Sequence, residues 1–320
     1  MSNHFFGEEY LENNLTMEEK FNQVSIFESF DNLVGEAEKT FFEHQYENAI
    51  KKWQDYAQIT GAPIWQQSAN DIKKLVTDFL SEHISEPQQL FNSWLKLRRQ
   101  MNENKLSSYA YNIMQRLYAK LFLSSKQTVS FDIATGVFCY IEERFQTAKE
   151  NLIDVLNREP DNLLARIFLS KCYFTLADEN KGMAALSQTI FLGCNEILAE
   201  DIGAPPIKNL YGRLRSIHGK GEAGVWLVPF EAWYRSWLVW VEDTPFFQVM
   251  QQKERNERIL QVKYYASEKY RHFVRCLYIA EYVREFLPKE KGIIWEQEAY
   301  MEKLDANLYQ RYRKKRKPIV

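Results

Sequence analysis

Residues 129–162, VSFDIATGVFCYIEERFQTAKENLIDVLNREPDN, and residues 163–196, LLARIFLSKCYFTLADENKGMAALSQTIFLGCNE, are two consecutive windows of 34 residues with no gap between them. In the first, Gly136 stands eighth, Ala148 twentieth, Leu152 twenty-fourth, Val155 twenty-seventh and Pro160 thirty-second. In the second, Ser170, Tyr173, Ala177, Gly182, Leu186 and Thr189 occupy the small or aromatic positions of the same pattern, and Ala148 and Gly182 lie 34 residues apart. The physical reading is steric. Small residues at the eighth and twentieth positions let two helices approach closely, and larger ones fill the space between pairs.

The same periodicity extends outward. Apolar residues recur at i, i+3, i+4 and i+7 along Ile72, Leu75, Val76, Phe79 and Leu80, along Leu106, Ala110, Ile113, Met114, Leu117 and Leu121, and along Val262, Ala266, Phe273, Leu277, Ala280, Val283 and Leu287. No long segment keeps a period of two, so the fold class reads as all-α. Pro63, Pro87, Pro160 and Pro288 stand where one run stops and another begins, and Asp161 and Thr16 are read as caps of the runs that follow. Short connections imply antiparallel neighbours, an array of helix hairpins.

The 34-residue spacing, with Glu159-Pro160-Asp161-Asn162 as the inter-repeat turn, resembles the tetratricopeptide repeat. A looser third match covers residues 30–63, through Ala37, Ala49, Trp53 and Tyr56. The resemblance implies an α-solenoid, and it yields three regions: 1–128 helical with one weak repeat, 129–196 with two repeats, and 197–320 a C-terminal helical block with a soft boundary near 200–222. In such proteins the first helix of each repeat lines a groove for a partner helix or peptide. By position that implies Ile133, Val137, Tyr140, Ile167, Lys171 and Phe174. Only Lys171 fits the basic clamp that some members use for acidic chaperone tails, so an apolar or amphipathic partner is the expectation. The other reading of the groove is that the chain itself fills it.

Composition sets the remaining bounds. The chain of 320 residues is 45% hydrophobic and 15% aromatic, which supports a large core, and its net charge of −2 creates no global field for nucleic acid or membrane. Cys139, Cys172, Cys194 and Cys276 show no Cys-x-x-Cys spacing and read as reduced, buried thiols of a cytoplasmic protein. The start of the chain has no secretory pattern, and the apolar stretch 223–241 is interrupted by Pro229, Glu231 and Arg235, so it reads as a core helix rather than a transmembrane segment.

Residues 219–224 match G-x-G-x-x-G, but helix rather than strand precedes them, so they read as a loop and not a nucleotide site. His4, His44, His83, His218 and His272 show no His pair one turn apart and no cysteine at ligand spacing, so neither metal nor cofactor is assigned. No nucleophile motif is present, and no catalytic residue is assigned.

Trp226, Phe230, Trp233, Trp237 and Trp240 fall at helical spacing, and Trp226 and Trp233 are named as partner anchors if that face is open. Arg311, Arg313, Lys314, Lys315, Arg316 and Lys317 form a basic run, opposed in sign by six glutamates within residues 1–30. As an electrostatic tail, Arg313 to Lys317 would meet an acidic protein surface, anionic lipid or nucleic acid. The leading expectation is therefore a non-catalytic adaptor, chaperone-like or scaffold protein. Its rivals are a helical enzyme or small-molecule-binding domain with a pocket near 226–240, and a structural subunit of a larger assembly.

Overall fold

The computed structural model describes residues 32–82, 84, 86–125, 132–217, 222–259 and 266–316. The acidic run within 1–30 (with Thr16 and His4), His83, Val129, His218, residues 219–221, Val262 and Lys317 lie outside them. Every regular element among the described residues is helical, and none is a strand. No helix there is long and apolar enough to cross a membrane. The chain divides into two compact units between Tyr118 and Ala119.

The first unit contains α1 (32–42), α2 (Tyr46–Thr60), α3 (Pro63–Glu82), α4 (Pro87–Asn102) and most of α5 (Ser108–Ser124). Pro63 and Pro87 open their helices because a first-turn residue needs no N–H partner. Phe41, Trp53, Ile72, Trp94 and Met114 are buried. The Trp53 indole N–H donates to the Tyr109 hydroxyl at 3.0 Å, and that hydroxyl donates onward to Glu38 Oε1 at 3.0 Å.

The second unit holds α6 (Ile133–Ile141), α7 (Phe145–Arg158), α8 (Leu163–Thr175) and α9 (Glu179–Gly193). It continues with two 3₁₀ turns at Cys194–Glu196 and Ala199–Asp201, then α10 (Pro205–Ile217), α11 (Glu222–Val225) and α12 (Leu227–Tyr234). It ends with α13 (Thr244–Ile259), α14 (Ala266–Phe286), α15 (Lys291–Leu304) and α16 (Ala306–Lys315). Helix α6 packs on α7 and on α8, α7 packs on α8, and α8 packs on α9.

The small residues stand where helices meet. A Cβ added to Gly136 would fall 2.7 Å from Leu152 Cδ2, and one added to Gly182 would fall 3.0 Å from the Phe174 ring. Ala148 is fully buried. Helix starts are capped by Asp132, whose carboxylate accepts the Thr135 N–H at 2.8 Å, and by Asn162, whose carbonyl accepts that of Ala165 at 3.0 Å. The cap of α8 is thus Asn162 and not Asp161, which instead pairs with Lys253 at 3.0 Å.

Helix α14 is the centre of the second unit and touches α9, α11, α12, α13 and α15. Its buried residues, Phe273, Val274, Leu277, Tyr278, Ile279, Ala280, Tyr282 and Val283, point in most directions around the axis, as an enclosed helix requires.

One expectation for this region is corrected. Residues 223–241 do not make one core helix. The chain turns at Ser236, with φ +59°, and residues 237–243 are non-helical, with the Val239 N–H donating to Ser187 Oγ at 3.1 Å. Helices α15 and α16 are separate. Asp305 divides them, taking the N–H groups of Asn307 and Leu308 at 3.1 and 3.0 Å to start α16.

Candidate functional site

The six residues expected to line a groove divide by burial. Val137 and Ile167 are buried, so neither is offered to a partner. Ile133, Tyr140, Lys171 and Phe174 are half-buried. Around α8 the covering group is the chain's own. Lys171 Nζ lies 3.4 Å from the buried Asp201 carboxylate and 5.1 Å from the ring centres of both Tyr140 and Phe168. A Cβ on Gly203 would fall 2.3 Å from Phe174 Cδ2, so the backbone at 203 lies directly on that ring. Residues 199–203 therefore occupy part of the face that the resemblance reserves for a partner.

Trp226 and Trp233, named as anchors, are core residues, each 2% exposed. Trp233 stacks on Tyr312 with ring centres 5.2 Å apart, and its indole N–H donates to Glu281 Oε2 at 2.9 Å. Trp237 and Trp240 are half-buried in the non-helical segment, with Trp240 packed against Phe191 and Tyr278.

Four of the described residues of the basic run, Arg311, Arg313, Lys315 and Arg316, are held by partners of the same chain. Lys315 Nζ donates to the last carbonyls of α12, on Trp233 and Tyr234, and to Ser236 Oγ, where a cation complements the helix dipole. Burial, together with Arg316 alongside, lowers the Lys315 pKa. Arg316 pairs with the buried Glu281, and Arg311 reaches Glu231 at 2.7 Å. Arg313 donates to the Tyr309 hydroxyl at 3.3 Å, and Lys314 is exposed.

An open cleft of about 650 Å³ lies elsewhere on the second unit, walled by α7, α8, α9 and residues 241–245. Its apolar lining comes from Ile153, Leu156, Leu169, Ala184, Ala185 and Pro245. At its base Arg166 is 4% exposed. Its Nε donates to the Pro160 carbonyl at 2.8 Å, its Nη1 donates to Gln188 Oε1, and its guanidinium lies 3.4 Å from Asp243 and 3.9 Å from the Phe246 ring centre. Gln188 donates to Asp243 at 3.0 Å. Burial lowers the Arg166 pKa, with Asp243 opposing. Three of its five N–H donors are thus used within the protein.

A second cluster is fully enclosed. Glu254 of α13 is 1% exposed, and His272 and Cys276 of α14 are each 0% exposed. His272 Nε2 lies 3.1 Å from Glu254 Oε1, Cys276 Sγ lies 3.8 Å from it, and all three donor atoms fall within 4.8 Å of one another. Burial alone would raise the Glu254 carboxyl, but hydrogen bonds from His272 and Arg258 outweigh it and hold it below the usual range. The expectation that no cysteine stands at ligand spacing from a histidine is corrected here. His272 and Cys276 are one helical turn apart, which is a ligand spacing, but Glu254 reaches them only by folding.

All four cysteines are free and buried, and burial pushes the Cys172 thiol up to about 12, far from a nucleophile's range. Comparison with protein-family models, with curated proteins and with solved structures finds no match.

Proposed function

We propose that the second unit is a non-catalytic protein-interaction module. In this reading α6 to α9 form two antiparallel, tetratricopeptide-like helix pairs, and the cleft beside them takes an apolar or amphipathic segment of another protein. The neighbour order supports the stacked arrangement, since α8 packs on both members of the preceding pair as well as on its own partner α9. The turns support it too. Glu143 and Ala177, 34 residues apart, both close their helices with a positive φ.

The observation that carries the functional reading is the chemistry of the cleft. Its walls set apolar residues (Ile153, Leu156, Leu169, Val241, Pro245) beside polar ones (Asn157, Lys181, Glu242, Thr244), as an amphipathic partner requires, Ile153 on its rim is exposed, and its buried cation is already matched by Asp243. Such a surface offers area and shape rather than a proton to transfer. A small-molecule site is the second reading, because about 650 Å³ falls within the range of ligand pockets.

Site-specific photocrosslinking in cells separates the two. A crosslinker replacing Ile153 is expected to give discrete protein adducts, while one replacing the exposed Glu302 gives none. Ile153→Asp should cut recovery of that adducted partner at least tenfold while leaving the melting temperature unchanged. Equal crosslinking at both positions would sink the proposal. A bound small molecule in native mass spectra, lost on Ile153→Asp, would replace it with the second reading.

A further inference from the structure

We infer that Glu254, His272 and Cys276 form a binding site for a single divalent cation of the zinc type, placed to fasten α13 to α14. The donor set is one imidazole nitrogen, one thiol sulfur and one carboxylate, which together select a borderline-soft metal over magnesium or calcium. With metal–ligand bonds of about 2.0–2.3 Å and near-tetrahedral angles, donor atoms stand roughly 3.3–3.7 Å apart. Two of the three edges here, 3.1 Å between His272 Nε2 and Glu254 Oε1 and 3.8 Å between Cys276 Sγ and Glu254 Oε1, already bracket that span.

Charge accounting agrees. A dication facing the Glu254 carboxylate and a Cys276 thiolate sums to zero, which suits a site with almost no access to water. Arg258 donates to the same Glu254 Oε1, at 2.8 Å through Nε, and its own charge is met by Glu296 on α15. Ligating carboxylates are usually held in this way by an outer partner. On binding, the Cys276 S–H bond breaks and its proton leaves to solvent, the His272 proton moves from Nε2 to Nδ1, and the sulfur–metal and nitrogen–metal bonds form with no change in oxidation state.

Three protein donors leave a fourth position of the kind catalytic zinc sites use for water. Here that position has no route to a substrate, since all three residues are buried. The role assigned is therefore structural.

The test uses the full chain, purified without chelator, with Zn²⁺ and Co²⁺ as probes. Elemental analysis should find close to one zinc per chain. After chelator treatment, Co²⁺ should give the sulfur-to-cobalt absorption of a thiolate ligand, and Zn²⁺ should abolish it. Saturating Zn²⁺ should raise the melting temperature by several degrees. Cys276→Ala should lose the cobalt absorption, and His272→Gln should weaken zinc binding at least tenfold.

Should either variant fold poorly, the wild-type cobalt spectrum and zinc content still decide the matter. Absence of both, with melting indifferent to Zn²⁺ and to chelator, overturns the inference. So does a cobalt spectrum that survives Cys276→Ala, because the metal would then sit elsewhere.

Discussion

At the scale of single residues, the glycines of the second unit fall into opposite kinds. Gly136 and Gly182 have side-chain atoms of Leu152 and Phe174 where a Cβ would go, whereas Gly212, exposed on α10, has nothing within 4 Å. Replacing Gly182 or Gly136 by leucine should therefore cost about 1–3 kcal/mol through overpacking. Gly212→Ala should do the reverse and stabilise by about 1 kcal/mol, because it removes the backbone entropy of a glycine inside a helix. Urea titration of the three variants checks both signs. A neutral Gly182→Leu would mean that the 34-residue register does not describe how these helices touch.

Helices are governed by their ends as much as by their faces. Five of them close alike, with a residue other than glycine at positive φ: His44, Asn104, Glu143, Ala177 and Ser236. In each case the next residue's N–H reaches back five positions, as Asp178 does to the Tyr173 carbonyl at 2.9 Å. Alanine in this conformation carries about 1–2 kcal/mol of strain, and glycine gives part of that back as unfolded-chain entropy. Ala177→Gly should therefore raise stability by about 0.5–1 kcal/mol in thermal or urea melts. These closures were illegible beforehand because no glycine marks them. The small residues at 136, 148 and 182 were legible because their spacing is a one-dimensional signal. Trp237 and Trp240 were misread, since aromatics three and four apart imitate a helix face, and only the hydrogen bond from Val239 to Ser187 overrules the pattern. Of the enclosed cluster, the His272–Cys276 spacing was readable, but Glu254 joins it across the break between α13 and α14. The Asp305 break also has an acid signature. Burial would raise its carboxyl, but Lys269 at 2.8 Å and the N–H groups of Leu308 and Asn307 hold it below the usual range. A lowered folded-state pKa contributes stability above the unfolded value, near 4, that disappears as pH falls through the folded one. Asp305→Asn keeps an acceptor but loses the charge. It should cost about 0.5–1 kcal/mol near neutrality, the scale of a part-exposed ion pair at a helix start. The gap to the unsubstituted protein should close in melts taken below the carboxylate range.

For the molecule as a whole, the consequential difference from a sequence reading is that the basic C-terminal run is docked on the second unit, through Arg311, Lys315 and Arg316. Helix α16 closes over α12 and α14. Tyr312 is fully buried, stacks on Trp233, and donates to Glu281 Oε1 at 3.3 Å, while Arg316 pairs with the same carboxylate. Two accounts of this run make different forecasts. A solvated electrostatic tail would add little stability and would respond chiefly to salt. A docked helix owes its place to burial of Tyr312 against Trp233 and to satisfying Glu281, which would otherwise be a buried charge short of partners. On the second account Tyr312→Ala should cost about 3–5 kcal/mol, as loss of a buried aromatic does. Lys314→Ala, at an exposed position two residues on, should stay within about 0.5 kcal/mol of the parent protein. Urea titration followed by tryptophan fluorescence reads both, because Trp233 loses its stacking partner in the first variant and keeps it in the second. Repeating the titration of the parent protein at about 0.5 M salt, where the Debye length is only a few ångströms, completes the comparison. The docked helix requires a midpoint that moves far less with salt than it moves on Tyr312→Ala. A salt effect as large as that of the substitution would return the run to the solvent as a mobile charge.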